Sequence, residues 1–178
     1  MGRFEQSLAF GQVGESVISR WLQSRGHAVF PAYQVEHQTG KGPQLFTETG
    51  DLVLPDLLAF RDGKSIWFEA KHKTCFSWYR TRSRWVTGID LRHYGEYKDV
   101  QQITGLPVWL MFWHPNGTPD SADLRHGCPG ECPTGLFGNS LDVLSDNESH
   151  RSNKWGSSGM VYWAATSLRL LSPVAVND

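Results

Sequence analysis

Asp51-Leu52-Val53-Leu54-Pro55-Asp56-Leu57-Leu58-Ala59-Phe60-Arg61-Asp62-Gly63-Lys64-Ser65-Ile66-Trp67-Phe68-Glu69-Ala70-Lys71 is the stretch that decides the fold. Two apolar runs rich in Leu, Val, Ile, Phe and Trp flank Asp62-Gly63, and Asp-Gly between such runs predicts a two-residue β-hairpin turn. A tight turn there sets Asp56 directly across from Glu69. Opposed residues of an antiparallel pair project to the same face, with Cβ atoms about 4.5–5.5 Å apart. Lys71 follows Glu69 by two residues and shares that face. Two carboxylates and an amine therefore meet among apolar neighbours. Two carboxylates so close repel unless a cation or a proton lies between them. Hard oxygen donors suit Mg²⁺, which binds through one or two carboxylates together with water and substrate phosphate. Such an ion polarises a phosphoryl oxygen and acidifies water, and Lys71 can orient that water or stabilise charge on the phosphate. A surface hairpin with Glu69 and Lys71 merely solvated is the plainer alternative. It fits poorly with β-branched and aromatic strands, which are normally at least half buried.

Pro55-Asp56, followed after a hairpin by Glu69-Ala70-Lys71, resembles the signature of the PD-(D/E)XK nuclease superfamily. The resemblance implies an α/β fold with a restriction-endonuclease-like core, a mixed central sheet flanked by helices. It implies that Asp56 and Glu69 bind a divalent metal, that Ala70 adds its backbone carbonyl, and that Lys71 assists the attacking water. Mg²⁺ or Mn²⁺ is the implied cofactor and DNA the implied substrate.

Upstream, residues 3–25 read as a helix ending at Gly26, a suitable C′ residue. Projected at about 100° per residue, Glu15 falls in the middle of the apolar stripe of Phe4, Leu8, Ile18 and Leu22. A carboxylate there is costly to bury without a partner; it either reaches solvent at the helix edge or points at the metal site. Gly11 and Gly14 on the neighbouring arc would let the helix approach another element closely. Some PD-(D/E)XK members, notably resolvase-like ones, carry a first-helix Glu, and Gly14-Glu15 resembles theirs. Glu15 is thereby implied as a further catalytic and metal-shell residue. Residues 28–35 read as a first strand, and 36–50, rich in Gly, Thr and Gln, as a loop or ragged extension.

Downstream, residues 72–88 read as a segment interleaving aromatics with cations. Lys73, Trp78, Tyr79, Arg80, Arg82 and Arg84 are the candidate nucleic-acid contacts, since Arg takes phosphate bidentately and rings stack on bases. A solvated loop with one aromatic anchor is the plainer reading. Residues 90–104 read as a second helix ending at Gly105, with Asp90 as a cap or first-turn residue. Tyr94, Tyr97, Val100 and Ile103 make a broad apolar face edged by Gln101. Residues 106–113 read as a central strand. Helix, strand, hairpin, helix, strand matches the PD-(D/E)XK core, so the resemblance covers roughly residues 3–115. Residues 114–159, rich in Gly, Pro, Ser, Asn and Asp, form an irregular insertion with one expected strand near 136–144 that could add an edge to the sheet. Residues 160–171 read as a final strand followed by a short helix or another extended piece.

At 178 residues the chain suits one domain with a real core. Its net charge of −1 announces no nucleic acid, but the charge is uneven. Residues 61–84 carry seven Lys/Arg against two acids, and residues 116–150 six acids against one Arg. A local basic patch is what a phosphate backbone requires. No apolar run is long enough to span a membrane, no signal sequence is evident, and three cysteines suit no disulfide scaffold. A cytoplasmic protein is expected. Cys128 and Cys132, with His126, raise a zinc site lacking a fourth ligand from His114, His150 or Cys75; two ordinary loop thiols are the simpler reading.

The sequence reading is thus a metal-dependent DNA endonuclease, specifically one acting on branched or Holliday-junction DNA. A restriction-type or mobile-element or phage endonuclease and a non-catalytic nucleic-acid-binding module of the same fold are the alternatives. Junction resolvases act as two-fold dimers, so a homodimer is expected.

Overall fold

The structure, a computed structural model, describes residues 3–34 and 43–173. Helix α1 (Arg3–Ser24) ends at Gly26, whose φ of 84° supplies the left-handed residue expected there. Strand β1 (Ala28–Pro31) is followed by a 3₁₀ turn (Ala32–Gln34), then by β2 (Gln44–Thr47) and β3 (Gly50–Val53). Next come β4 (Leu57–Arg61), β5 (Lys64–His72), β6 (Ser77–Tyr79), a 3₁₀ turn (Arg80–Arg82) and β7 (Arg84–Asp90). Helix α2 (Leu91–Thr104) leads to β8 (Val108–His114), α3 (Ser121–Arg125), β9 (Gly135–Ser140) and α4 (Leu141–Asp146). The described chain closes with β10 (His150–Ser152), β11 (Met160–Ala164), a 3₁₀ turn (Ala165–Ser167) and β12 (Arg169–Ser172).

The main sheet has six strands in the order β1-β4-β5-β8-β9-β12, all antiparallel neighbours except the parallel pair β5 and β8. The Asp62-Gly63 turn has φ of 51° and 72°, the two positive values a type I′ turn needs. It aligns β4 and β5 as expected, Leu57 with Phe68 through Arg61 with Lys64. One face of the sheet packs Leu57, Ala59, Phe68, Ala70 and Met111 against Ile18 and Leu22 of α1. The other packs Trp67, Val108, Leu110 and Phe112 against Tyr94, Tyr97 and Val100 of α2 and against Ile89, Val161 and Trp163. Those last three belong to a second sheet, β10-β11-β7-β6, antiparallel throughout.

Gly14 permits the close approach of α1: a Cβ there would lie 2.7 Å from the His72 Cβ, whereas Gly11 has no neighbour within 4 Å. Asp90 caps α2, its carboxylate accepting the Arg92 N–H at 3.0 Å. Gln101 is structural, accepting the Val108 N–H and donating to Asp142.

Several expectations are corrected. Pro55 has no N–H to give a ladder, and the run from Asp51 to Phe60 breaks around it into β3 and β4. The segment expected as a loop or ragged extension contains the short strand β2, paired with β3; residues 35–42 lie outside the described residues, as do the side chains of Phe4 and Leu8. Residues 72–88 are no loop but hold the β6–β7 hairpin, whose partner β11 lies far away in sequence. Residues 141–146 form α4 rather than strand, started by the Ser140 side chain accepting the Val143 N–H. Strand β9 is interior, covered by β12. Ile103 is exposed and does not join the face of Tyr94, Tyr97 and Val100. Residues 160–171 supply both a strand and a second extended piece.

Candidate active site

The ladder between β4 and β5 stops at Leu57 and Phe68. Beyond it the Asp56 side chain takes over: its Oδ2 accepts the Ala70 N–H at 2.9 Å, and its backbone carbonyl accepts the Tyr33 N–H at 3.1 Å. Asp56 is thus held from both sides, with buried Pro55 before it. Alternation along β5 turns Glu69 and Lys71 to the α2 face and Phe68 and Ala70 to the α1 face. Glu69 is 1% exposed and ion-paired with Lys71, whose side chain is 28% exposed.

The electrostatics follow from this enclosure. Burial, and then the Glu69 charge, push the Asp56 pKa well above the usual carboxylate range, against the opposing pull of Lys71 and the Ala70 N–H. Burial works against the Lys71 charge, but Glu69 and Asp56 outweigh it and raise its pKa. Burial and Glu69 raise the Glu15 pKa, with Lys71 opposing, so α1 brings Glu15 within electrostatic reach of the same group. The pKa of Lys73, just past the end of β5, is lowered by burial and by Lys71.

Tyr97 is the residue that sequence reasoning missed. It read as one of an apolar stripe, yet it lies beside the carboxylates: burial, followed by the charges of Glu69 and Asp56, raises its pKa well above the ordinary value. The available signal was its chemistry: a buried tyrosine needs a partner for its O–H.

Gln12, Ser16, Tyr33 and Gln34 line a cleft of about 430 Å³ between α1 and the first 3₁₀ turn. Burial, Glu15 and Asp56 raise the pKa of Tyr33, the lining residue whose backbone N–H bonds the Asp56 carbonyl. Two carboxylates and a nearby backbone carbonyl, with a third carboxylate in range, fit a hard cation such as Mg²⁺ or Mn²⁺. Among the described residues no three His, Cys, Asp or Glu side chains stand close enough to hold a metal by themselves. An ion here would complete its shell with water or phosphate. The same holds for zinc: Cys132 gives its thiol hydrogen to the Asn116 carbonyl at 3.4 Å, and His126 lies at 3.2 Å from Arg80.

The expected nucleic-acid contacts divide. Trp78 and Trp85 face each other across β6 and β7 and pack edge to face at 4.9 Å, on the side of the hairpin that meets the core. Tyr79 and Arg84 form the next pair, on the opposite side. Arg80 and Arg82 are exposed on the turn.

The fold has a solved counterpart. A Holliday junction resolvase, Hjc, from the archaeal hyperthermophile Archaeoglobus fulgidus is similar to this chain with a TM-score of 0.50 and 8% identity, covering 88% of this chain and 90% of its own. The mixed sheet and its helices therefore share the α/β fold of that resolvase. No family model and no curated protein matches the sequence.

Proposed function

We propose that the chain is a divalent-metal-dependent deoxyribonuclease that hydrolyses phosphodiester bonds, acting as an endonuclease on branched or junction DNA. The observation that carries this reading is the meeting of half-buried Asp56 and Lys71 with buried Glu69 on one face of the β4–β5 pair. The shared fold with a Holliday junction resolvase supports junction DNA as substrate, and a homodimer as the working form is proposed from the resemblance in sequence.

Asp56, Glu69 and the Ala70 carbonyl would hold the metal, with Glu15 completing or positioning its shell. Bound there, Mg²⁺ or Mn²⁺ supplies Lewis-acid polarisation of the phosphate and a more acidic water. Lys71, its pKa raised, remains an ammonium at neutral pH. It therefore acts as a fixed positive hydrogen-bond donor toward charge developing on phosphate, or as an orienter of the nucleophile, and not as a general base. Tyr97, buried within electrostatic reach of Glu69 and Asp56, helps enclose the carboxylates. Burial of Glu69 and Asp56 excludes bulk water and keeps these interactions strong.

The test is incubation with plasmid, linear duplex, single-stranded and four-way-junction DNA in Mg²⁺, Mn²⁺ or EDTA. Metal-dependent cleavage with preference for the junction is expected. DNA binding without cleavage in either metal would leave a non-catalytic module of the same fold.

A further inference from the structure

The outer side of the second sheet carries a column of rings that the hydrophobic core does not use. Tyr79 of β6 stacks on His150 of β10, centroids 3.8 Å apart and planes 9° apart. His150 stacks on Tyr162 of β11 at 4.6 Å and 4°. Strands β6 and β10 are the two opposite edges of this sheet, so the column bridges its whole width. Gly88 of β7, paired with Tyr162, is what permits this. A Cβ there would lie 2.2 Å from the Val161 carbonyl oxygen and 2.8 Å from the Tyr162 ring. Tyr162 thus rests on bare backbone, and Tyr79 is left at the far end of the column.

Arg84 is paired with Tyr79 in register. Its Nε is buried with no hydrogen-bond partner among the described residues, and its charge adds to burial in lowering the His150 pKa. That nitrogen is enclosed, but the side chain is only partly buried, and a guanidinium beside stacked rings with no acid paired to it among the described residues is short of an anion. Further cations flank it: Arg80 and Arg82 are exposed on the turn after Tyr79, and Lys154 is exposed beyond β10. The acids at this sheet are already engaged, Glu148 by Arg151, Asp90 by Arg92, Ser157 and Ser158, and Asp123 by the Trp78 N–H. The inner side of the same sheet, with Ile89, Val161 and Trp163, accounts for packing; the column accounts for none of it.

We propose that this outer face is a second nucleic-acid contact surface, distinct from the carboxylate site, where Arg84 takes a backbone phosphate and Tyr79 stacks with an unpaired base. Arg80, Arg82 and Lys154 track the strand on either side. The proposal rests on the nuclease reading for its choice of ligand, and assigns this face to affinity rather than to bond cleavage. Charge and rings together suit a single strand or an opened branch: phosphate contacts supply the salt-dependent term, and base–aromatic stacking contributes irrespective of sequence.

The experiment measures binding of labelled single-stranded and four-way-junction DNA in EDTA at several salt concentrations, with Mn²⁺-dependent cleavage at saturating protein alongside. Arg84→Gln and Tyr79→Leu should each weaken binding about 10-fold, roughly what one charged contact or one stacked base is worth. Arg84→Gln should also reduce the log–log salt slope by about 0.7–0.9, while Arg84→Lys restores the slope. Cleavage at saturation should match wild type. If a variant melts early, Arg80→Ala with Arg82→Ala, both exposed, reads the same slope in a folded protein. Unchanged affinity and slope, or no DNA binding by wild type in EDTA, overturns the surface. Wild type that binds through Arg84 but never cleaves overturns the nuclease reading and leaves the surface standing.

Discussion

The Asp56 carboxyl is buried beside Glu69 and holds its proton to higher pH than a free aspartate. Its folded pKa lies above its unfolded one, so its contribution to stability is complete below the ordinary carboxylate range. That contribution is lost as pH rises through the folded pKa. Asp56→Asn keeps an oxygen for the Ala70 N–H and removes the charge. The variant should melt higher than wild type at pH 8 in EDTA, by about 2–4 °C for each 1 kcal/mol relieved, yet gain nothing from Mn²⁺ and cleave no DNA. A lower Tm in EDTA would mean that Asp56 is stabilising as an anion. Glu15 is a milder case. Glu15→Gln should relieve the repulsion from Glu69, shrink the Tm gain from Mn²⁺, and reduce cleavage about 10–100-fold, as loss of a metal-supporting group does. Equal Mn²⁺ stabilisation and equal cleavage would make Glu15 a helix-edge residue. Asp56, Glu69 and Lys71 were readable because one turn dipeptide determines their register. Tyr97 was not, since its spacing on α2 is that of a core residue and its polar role depends on which strand lies opposite.

At the scale of elements, the contact between α1 and β5 brings Glu15 to the strand of Glu69, and Gly14 is where it closes. Gly14→Ala would drive a methyl into His72, and overpacking of this kind costs about 1–3 kcal/mol. Gly11→Ala, with open space around it, should instead stabilise the helix by about 0.5–1 kcal/mol. Urea midpoints of the two variants should move in opposite directions, and Gly14→Ala should lose more cleavage than its stability explains. Movement in the same direction would place the close approach elsewhere. Elements with local signals were legible: the I′ turn at Asp62-Gly63, the helix stops at Gly26 and Gly105, the cap at Asp90. The second sheet was hidden because β7 pairs with β11 from the far end of the chain, and only tertiary contact selects that partner. In residues 141–146 the Leu141, Val143 and Leu144 pattern suited either period, and the Ser140 cap decided it.

For the molecule as a whole, stability in acid depends on how the buried groups are arranged between the layers. His114 is fully buried at the end of β8, stacked on Phe76 at 3.8 Å. Burial, and then Lys73, lower its pKa to about 3. The folded pKa lies below the unfolded one, so the unfolded chain takes up a proton that the folded chain refuses. Stability is therefore lost as pH falls from the ordinary histidine range toward about 3, at about 1.4 kcal/mol per pH unit for one proton. His114→Phe should flatten that limb by about one proton in urea titrations between pH 7 and pH 4, whatever its effect at neutrality. An unchanged slope would mean that the folded protein charges this ring. The uneven charge of the chain, basic around the hairpin and acidic beyond residue 116, also concerns the whole molecule, as it would steer the proposed DNA substrate toward the basic half.

The central claim is that Asp56, Glu69 and Lys71 hydrolyse DNA together. Single-turnover cleavage of a four-way junction in Mn²⁺, wild type against Lys71→Ala, tests it most directly, with circular dichroism and EDTA binding as controls. Wild type should cut and Lys71→Ala should fall by at least about 100-fold, as when a transition-state charge donor is removed, with fold and DNA affinity nearly intact. Cleavage by Lys71→Ala within a few-fold of wild type, or none by wild type in any divalent metal, would contradict it.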